Sequence, residues 1–335
     1  MSARKPDGRI RIGISGWRYA PWRGTFYPAG LAQHRELEYA SRAVSSIEIN
    51  GSFYSLQTPQ SYQRWRTATP DDFVFAVKGG RYVTHNKRLR DVELPLANFF
   101  ASGVLALEEK LGPFLWQLPP QSRYDPDKLK AFFDLLPRST REAVALGRRH
   151  DARVRSRAWL EPSADREIRH ALEVRHASFE DSGFIELLRE HRIGLVVADT
   201  AGKWPFMEDT TADFVYIRLH GDKELYASGY SARALRSWAL KIENWAKGRQ
   251  PYQARTIAPV PRKGRHPRDV YVYFDNDVKV RAPFDAMSLA HRLGLGPRPG
   301  PAPDPASIAE TPRTRWHDFQ RAGRGGKRRH AEVAA

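Results

Sequence analysis

The chain has no cysteine among its 335 residues, and several other features with functional meaning are missing too. Without cysteine, disulfide bonds, thiolate metal ligands and a cysteine nucleophile are all excluded. The beginning of the chain lacks the apolar core of a secretory signal, and no apolar run approaches the ~18 residues of a membrane-spanning helix. These absences predict a cytoplasmic protein that has no membrane partner.

Sequence signatures of nucleotide-dependent enzymes are missing as well. Gly13 and Gly16 are spaced as GxxG and not as GxGxxG, and no phosphate-binding P-loop occurs. Close metal-ligand spacings such as HxH and HExxH are also absent. We therefore predict no cofactor. A divalent metal held by Asp199, Asn276 and Asp277 together with glutamates and histidines is an alternative, although neighbouring cationic side chains would oppose it.

Positive charge is in excess, with a formal net charge of +17. Residues 296–335 contribute +4, so the rest of the chain carries +13. A basic surface favours polyanions or anionic metabolites as partners. The arginine-rich residues 148–157 and the KRRH sequence near the end make nucleic acid one candidate partner. The competing interpretation is a compositional bias towards arginine that has no function.

Strand-like and helix-like segments alternate along most of the chain. This alternation predicts a parallel sheet of the α/β class, and eight such units fit a TIM-type (β/α)8 barrel with active residues at the carboxyl ends of the strands. Residues 31–43 are predicted as the first helix. The predicted strands are residues 10–15, 47–50, 73–78, 114–117, 171–175, 195–199, 214–220 and 270–274.

Proline, glycine and arginine mark the predicted domain boundaries. We predict a flexible N-terminus over residues 1–9 and one barrel domain over residues 10–295. Residues 139–168 and 248–269 are rich in arginine or proline and interrupt the alternation, which predicts two surface insertions. Residues 296–335 combine much proline, glycine and arginine with few large apolar side chains, which predicts a disordered tail.

Polar side chains recur at the last inward positions of the predicted strands. Successive side chains of a strand point to opposite faces, so Glu48 lies opposite Ile47 and Ile49. A strand of a parallel sheet, buried on both faces, is normally apolar throughout. The polar pattern therefore predicts a closed sheet whose carboxyl ends surround a site. The residues in this pattern are Glu48, Asn50, Lys78, Gln117, Glu173, Arg175, Asp199, Arg218 and His220.

Three of these residues are predicted to move protons. Glu48 and Glu173 lie on the second and fifth strands and would face each other across the barrel, where two carboxylates in different environments divide acid and base roles. His220 follows the seventh strand and would transfer protons near neutral pH. The alternative is an internal ion-pair network, in which the glutamates bind Lys78 or Arg218 and plug the barrel.

The other residues of the pattern are predicted to bind substrate. Arg175 and Arg218 present planar forks that suit a carboxylate or a phosphate. Lys78 would bind an anion or, if it is desolvated, form a Schiff base, and nothing in the sequence favours the second role. Aromatic side chains on the first two loops either stack on a substrate or pack the loops over the mouth. The remaining predicted binding residues are Asn50, Gln117, Asp199, Asn276, Trp17 and Tyr54, and His85 and His176 are further candidates.

Eight short motifs occur in order between residues 10 and 295. They are GISGW, EINGSFY, FAVK, THNKRL, KLGPFLWQLPP, LEVRHASF, YIRLHG and YVYFDND. Together they resemble the YecE-like family, known as domain of unknown function 72. The resemblance implies a TIM-barrel-like fold and no particular activity. The chain departs from the family pattern at Phe179, where tryptophan is usual, and at Asp275, where asparagine is usual.

Three functions are compatible with these patterns. The first is an acid–base enzyme that acts on a small anionic substrate, such as a sugar acid or a phosphorylated sugar. The second is a nucleic-acid-binding or -processing protein that uses its basic surface and tail. The third is a non-catalytic barrel that binds a ligand or a partner protein. The ring of charges favours the first, because burying unpaired charges is strongly destabilising.

Overall fold

Parallel strands close into a barrel in the computed structural model, which describes residues 7–154, 157–226, 228–260 and 266–300. The strands follow chain order around the barrel, and the last strand pairs with the first. The predicted TIM-type (β/α)8 barrel is confirmed. The strands are β1 (Ile10–Ser15), β2 (Ser46–Ile49), β3 (Val74–Lys78), β4 (Leu111–Gln117), β5 (His170–Glu173), β6 (Gly194–Asp199), β7 (Phe214–Leu219) and β8 (Asp269–Phe274).

Helices follow the strands, and side-chain caps fix several of their first residues. Thr58, Asp125 and Asp181 each accept a hydrogen bond from a backbone N–H in the first turn of the helix that follows. None of the helices described here combines the length and the apolar character that crossing a bilayer requires. The helices are α1 (Glu36–Ala43), α2 (Gly51–Tyr54), α3 (Pro59–Ala68), α4 (Glu93–Ala101), α5 (Pro126–Leu135), α6 (Thr140–Gly147), α7 (Ser182–Glu190), α8 (Ala232–Ala246) and α9 (Arg281–Arg292).

Some observed boundaries differ from the predicted ones. The first helix begins at Glu36 and not at residue 31, because Gln33–Arg35 form a separate 3-10 turn. Strands β5 and β7 end before Arg175 and His220, so these two side chains belong to the loops of the barrel mouth. Here the mouth means the carboxyl ends of the strands and the loops that follow them.

The first predicted insertion contains regular structure. Helix α6 lies within residues 139–168, is capped by Ser139 and packs against α4 through its buried side. Residues 248–260 and 266–268 of the second predicted insertion form neither helix nor strand. Residues 1–6, 155–156, 227, 261–265 and 301–335 lie outside the described residues. The predictions of a flexible N-terminus and a disordered tail fall largely on them.

The barrel interior is apolar in its middle layers and polar at the mouth. Residues two positions apart on a strand share a face, so each inward apolar residue is followed by an inward residue nearer the mouth. The buried apolar cluster includes Ala76, Leu115, Ala171 and Tyr216. Two positions beyond these residues stand Lys78, Gln117, Glu173 and Arg218.

Gly79 follows β3 directly and packs against the indole ring of Trp116. A Cβ atom added at Gly79 would lie 2.2 Å from that ring. We expect Gly79→Ala to lower the free energy of unfolding by about 1–3 kcal/mol, measured by urea denaturation, because Trp116 would have to shift in a closely packed interior. Gly80→Ala is the matched control, since the nearest atom to its added Cβ would be 3.9 Å away. Equal stability of the two variants would contradict the packing argument.

Candidate functional site

Arg218 of β7 stands at the centre of the mouth and is 1% exposed. Its guanidinium binds Glu48 with two hydrogen bonds, from Nε to Oε2 at 3.0 Å and from Nη2 to Oε1 at 2.9 Å. Nη1 donates to Glu173 Oε2 at 2.8 Å, and Nη2 also donates to Asp275 Oδ2 at 3.0 Å. One arginine therefore joins three carboxylates. We call Arg218, Glu48, Glu173 and Asp275 the central network.

Glu48 has no unused acceptor position. Besides Arg218, the hydroxyl of Ser15 donates to its Oε1 at 2.7 Å and the hydroxyl of Tyr216 donates to its Oε2 at 2.7 Å. A carboxylate offers about four lone-pair positions, and four hydrogen bonds occupy them. The side chain is fully buried. This arrangement is suited to fixing the position of Arg218.

Glu173 accepts three hydrogen bonds from side chains around it. It accepts hydrogen bonds from Arg175 Nε at 2.8 Å, from Gln117 Nε2 at 2.9 Å and from Arg218. Burial would raise the pKa of Glu173, but the charges of Arg175 and Arg218 outweigh burial and hold that pKa well below the usual range. The carboxylate is therefore ionised at neutral pH and serves as an acceptor.

Arg175 connects the central network to the loops of the mouth. Its guanidinium carbon lies 3.9 Å from the ring centroid of Trp204, and its Nη2 donates to the hydroxyl of Tyr226 at 3.3 Å. Nη1 donates no hydrogen bond to any residue in the described part of the chain. The guanidinium is thus held in a fixed plane by Glu173 and Trp204, with one edge open towards the mouth.

Lys78 at the end of β3 is the second cation that faces the mouth. Its side chain is 6% exposed, and Nζ lies 4.5 Å from the ring centroid of Phe53. Nζ makes no hydrogen bond and no ion pair with a described residue. Burial and the positive charge of Arg218 lower the pKa of Lys78 to about 8.

His220 is buried beside the central network. Its Nδ1 lies 2.9 Å from Asp275 Oδ2, although without the alignment of a hydrogen bond, and its Nε2 lies 4.0 Å from Glu173 Oε1. Burial would raise the pKa of Asp275, but the charge of Arg218 outweighs burial and holds that pKa below the usual range. His220 therefore contacts two ionised carboxylates.

His85 lies on a π-helical turn, Tyr82–Asn86, and its ring packs edge-on against Phe53, the ring that Nζ of Lys78 also contacts. Its Nδ1 is 2.9 Å from the hydroxyl of Thr84. Burial and the charge of Lys78 lower the pKa of His85 to about 4, so its imidazole is neutral at neutral pH. In the described part of the chain, Nε2 of His85 has no hydrogen-bond partner.

A second carboxyl group follows β8 close to the central network. Burial and the negative charge of Asp275 raise the pKa of Asp277 well above the usual range. Asp277 Oδ1 is buried and has no hydrogen-bond partner among the described residues. The pKa values of the two aspartates thus shift in opposite directions, and only Asp275 is bound by Arg218.

The structure separates two predicted residues from this group. Asp199 lies on the opposite face of β6 from Ala198, outside the barrel, where it accepts a hydrogen bond from the hydroxyl of Tyr230 at 3.1 Å. Asn276 donates to the backbone of Ser228 at 2.9 Å and to Asp285 at 2.8 Å. Both residues support loops beside the mouth and do not contact the central network.

The remaining predicted residues lie at the edge of the mouth. Asn50 donates to the hydroxyl of Ser15 at 2.9 Å, and its buried Oδ1 lacks a partner in the described residues. Trp17 is buried and packs edge-on against Trp65, so it supports the first loop. Tyr54 is exposed at the rim. His176 binds Ser178 and caps a short turn.

The described residues contain no group of three or more histidine, aspartate or glutamate side chains arranged to hold a metal ion. The carboxylates that meet at the mouth are instead bound to Arg218. The mouth is therefore organised around a buried cation supplied by the chain itself.

Comparison with known proteins identifies the family. A family model described as "Protein of unknown function DUF72" matches residues 11–307. The chain belongs to the DUF72 family. The resemblance to the YecE-like family that the motifs indicated is confirmed.

Two curated relatives of this DUF72 protein share part of the barrel. The UPF0759 protein YecE of Escherichia coli (strain K12) is 30% identical over 131 residues, which is 38% of this chain and 44% of YecE. The UPF0759 protein YunF of Bacillus subtilis (strain 168) is 29% identical over 119 residues, 33% of this chain and 40% of YunF. The matches span less than half the length of either relative.

Solved structures of DUF72 family proteins have the same fold. The one from Thermotoga maritima gives a TM-score of 0.61 at 24% identity and covers 85% of this chain and 99% of its own. One from Enterococcus faecalis V583 gives a TM-score of 0.57 at 16% identity, covering 86% and 99%. At these identities the likeness shows the fold alone.

Sequence reasoning missed four partners that shape the mouth of this DUF72 barrel. Ser15 and Tyr216 share the inward face of their strands with the polar residues that were predicted, so strand alternation could have found them. Trp204 and Tyr226 come from the loops after β6 and β7, where no periodicity predicts side-chain direction.

Proposed function

We propose that this DUF72 barrel is an enzyme that binds a small anionic substrate at its mouth and acts on it by acid–base chemistry. The observation that carries the proposal is the pair of cations, Lys78 and Arg175, whose Nζ and Nη1 donate no hydrogen bond to a described residue. Both side chains reach the same mouth, since Arg175 binds Glu173 and Lys78 stands two positions beyond the inward Ala76 on β3.

The balance of charges at the mouth supports an anionic ligand. Arg218 binds all three carboxylates of the central network, and Arg175 shares Glu173 with it. No carboxylate lies within ion-pair distance of Lys78 in the described residues. Buried cations are stable when an anion pairs with them, so a carboxylate or phosphate of a ligand would complete the site.

Aromatic side chains line the same region. Trp204 lies under Arg175, and Phe53 lies beside Lys78. Aromatic faces next to fixed polar groups are typical of sites for small organic molecules. This combination favours a sugar acid or a phosphorylated sugar over an inorganic ion as the substrate.

The hydrogen-bond pattern suggests how the proton-transfer roles are divided. Glu48 and Glu173 use their oxygens to hold the arginines, which favours a positioning role for both. His85 has a neutral imidazole with an unused Nε2, so we propose His85 as a proton carrier beside the predicted His220. The sequence favours His220 because it directly follows β7.

Removing the open guanidinium tests the proposal. We expect Arg175→Gln to weaken binding of phosphate or glucuronate by about 10–100-fold in isothermal titration calorimetry, because a charge-assisted hydrogen bond is lost. Arg66→Gln is the control, since Arg66 pairs with Glu109 on the exposed surface. Absence of anion binding to the unchanged protein, or equal binding by all three proteins, would overturn the proposal.

A second candidate function, binding of single-stranded nucleic acid, is supported by a cleft at the opposite end of the barrel. The cleft has a volume of about 820 Å³ and lies at the amino ends of β6, β7 and β8. Arg192, Arg249 and Arg268 line it without an ion pair to any described residue. Tyr252, also in the lining, is 88% exposed and offers a ring for base stacking.

Salt dependence tests this second function. We expect a fluorescent oligonucleotide to bind the unchanged protein at about 50 mM salt. In the double variant Arg192→Ala, Arg249→Ala, the slope of log affinity against log salt concentration should become smaller by about one for each lost phosphate contact. Arg149→Ala is the control, because Arg149 already pairs with Glu93. Unchanged slopes, or no binding at low salt, would remove nucleic acid as a partner of the cleft.

A further inference from the structure

Lys78 differs from the other deeply buried lysine of the barrel. Lys110 is 4% exposed, and its Nζ donates to the backbone oxygens of Arg66 at 2.7 Å and Thr69 at 2.8 Å and to Thr69 Oγ1 at 3.3 Å. Its three protons are therefore all used, as expected for a structural ammonium group. Lys78 is buried to a similar degree, but its Nζ has no acceptor in the described part of the chain.

The surroundings of Lys78 raise the uncharged fraction of its amine. Burial and the charge of Arg218 lower the pKa of Lys78 to about 8, and they outweigh the charges of Glu48, Glu173 and Asp275, which act in the opposite direction. The contact of Nζ with the ring of Phe53 supplies no hydrogen-bond acceptor. At pH 7.5 roughly a quarter of such amines are neutral, against roughly one in a thousand for an ordinary lysine. Only the neutral amine has a lone pair that can attack carbon.

We propose that Lys78 forms a Schiff base with the carbonyl group of the anionic substrate. This inference rests on the proposed function, because it assigns the ligand anion to the open edge of Arg175 and the ligand carbonyl to Nζ of Lys78. The substrate class is thereby narrowed to a carbonyl compound that carries a carboxylate or phosphate, such as a 2-oxo acid or the open-chain form of a phosphorylated sugar.

The chemistry balances without a further reactant. The lone pair of Nζ forms a C–N bond to the carbonyl carbon, the electron pair of the C=O bond moves to oxygen, and one proton passes from nitrogen to that oxygen to give a carbinolamine. The hydroxyl group of the carbinolamine takes up a proton from solvent and leaves as water while the nitrogen lone pair forms the C=N bond. The resulting iminium returns its N–H proton to solvent, so one amine and one carbonyl group give one imine and one water. His85 packs edge-on against Phe53, the ring that Nζ of Lys78 also contacts, and its neutral imidazole has an unused Nε2, so we assign the proton relay to His85.

Reductive trapping tests the proposal. The protein is incubated at pH 7.5 with glyoxylate or erythrose 4-phosphate and sodium cyanoborohydride, which converts an imine to a stable secondary amine, and the modified residue is found by peptide mass spectrometry. We expect Lys78 to be modified about 10–100-fold faster than exposed lysines such as Lys130, and Lys110 to stay unmodified. The modification rate at Lys78 should reach half its maximum near pH 8 and level off above about pH 9, in line with the lowered pKa of Lys78.

Two variants keep the test decisive. Lys78→Met and Lys78→Arg, checked for folding by circular dichroism, should both lose the fast modification while exposed lysines react as before. Modification spread over exposed lysines, with Lys78 unmodified, would overturn the inference. Anion binding that depends on Arg175 without an adduct at Lys78 would overturn this inference and leave the proposed function standing. Modification of Lys78 by neutral glycolaldehyde, in a protein that binds no anion, would instead overturn the proposed function and the assignment to an anionic substrate.

Discussion

Arg218→Met is expected to lower the free energy of unfolding at pH 7 by about 5 kcal/mol, which is a large part of the stability of an ordinary domain. The substitution leaves Glu48, Glu173 and Asp275 without the cation that binds all three. Methionine fills much of the same volume, so the loss measures the unpaired carboxylates and not a cavity. Urea denaturation of the two proteins gives the difference.

The loss should become smaller in acid. Burial would raise the pKa of Glu173 and of Asp275, but the arginine charges hold both below the usual range in the unchanged protein. Their contribution to stability is therefore complete above the unfolded pKa values of ~4 and is lost as the pH falls through the folded values. In the variant Glu48 and Asp275 are buried without an arginine and Glu173 keeps only Arg175, so the folded state binds protons first and is stabilised as the pH falls from 7.

Two controls separate the central network from arginine loss in general. Arg66→Met removes an ion pair in which Arg66 is 40% and Glu109 45% exposed, and should cost less than about 1 kcal/mol. Arg218→Lys keeps one positive charge but not the planar guanidinium that reaches three carboxylates. Its loss in the free energy of unfolding should therefore lie between the losses of Arg218→Met and Arg66→Met. Parallel stability curves for Arg218→Met and the unchanged protein between pH 7 and 4 would contradict the role of the network.

Strand alternation was sufficient to predict which polar side chains of the strands converge at the mouth. The side chains of Glu48, Lys78, Glu173 and Arg218 follow inward apolar residues at regular spacing, and a parallel barrel brings the carboxyl ends of its strands together. Strand alternation does not predict which of the charged side chains form ion pairs with each other. Whether Arg218 offers its fork to a ligand or to the chain depends on distances across the barrel, and the structure shows that the fork is used internally.

The loops of the mouth were not predictable in the same way. Asp199 closes β6 in the sequence, but it has the opposite parity from Ala198 and lies outside the barrel. Trp204 and Tyr226 follow strands by several residues and reach Arg175 only because their loops fold back. Loop conformation depends on turn geometry and tertiary contacts that a periodic pattern does not contain.

Lys78→Met is expected to raise the free energy of unfolding at pH 7 by about 3 kcal/mol, the opposite sign to the effect at Arg218. Burial and the charge of Arg218 lower the pKa of Lys78 from 10.5 to about 8, so the folded state disfavours the ammonium form. This destabilisation is complete below pH 8, shrinks as the pH rises to ~10.5 and vanishes above it, because both states then hold a neutral amine. The increase in the free energy of unfolding caused by Lys78→Met should therefore shrink over the same pH range. Urea denaturation of the variant and of the unchanged protein, compared at each pH, measures it.

Lys110→Met is the matched control for a buried lysine with satisfied protons. Removing Lys110 leaves the carbonyl oxygens of Arg66 and Thr69 without their donor and should cost about 1–3 kcal/mol. A lower free energy of unfolding in both Lys78→Met and Lys110→Met would show that Lys78 is also structural. A gain at Lys78 with a loss at Lys110 would mean that the barrel keeps an amine at its mouth against its own stability. That result would agree with the proposed role of Lys78 towards a ligand, which trapping with a carbonyl compound measures.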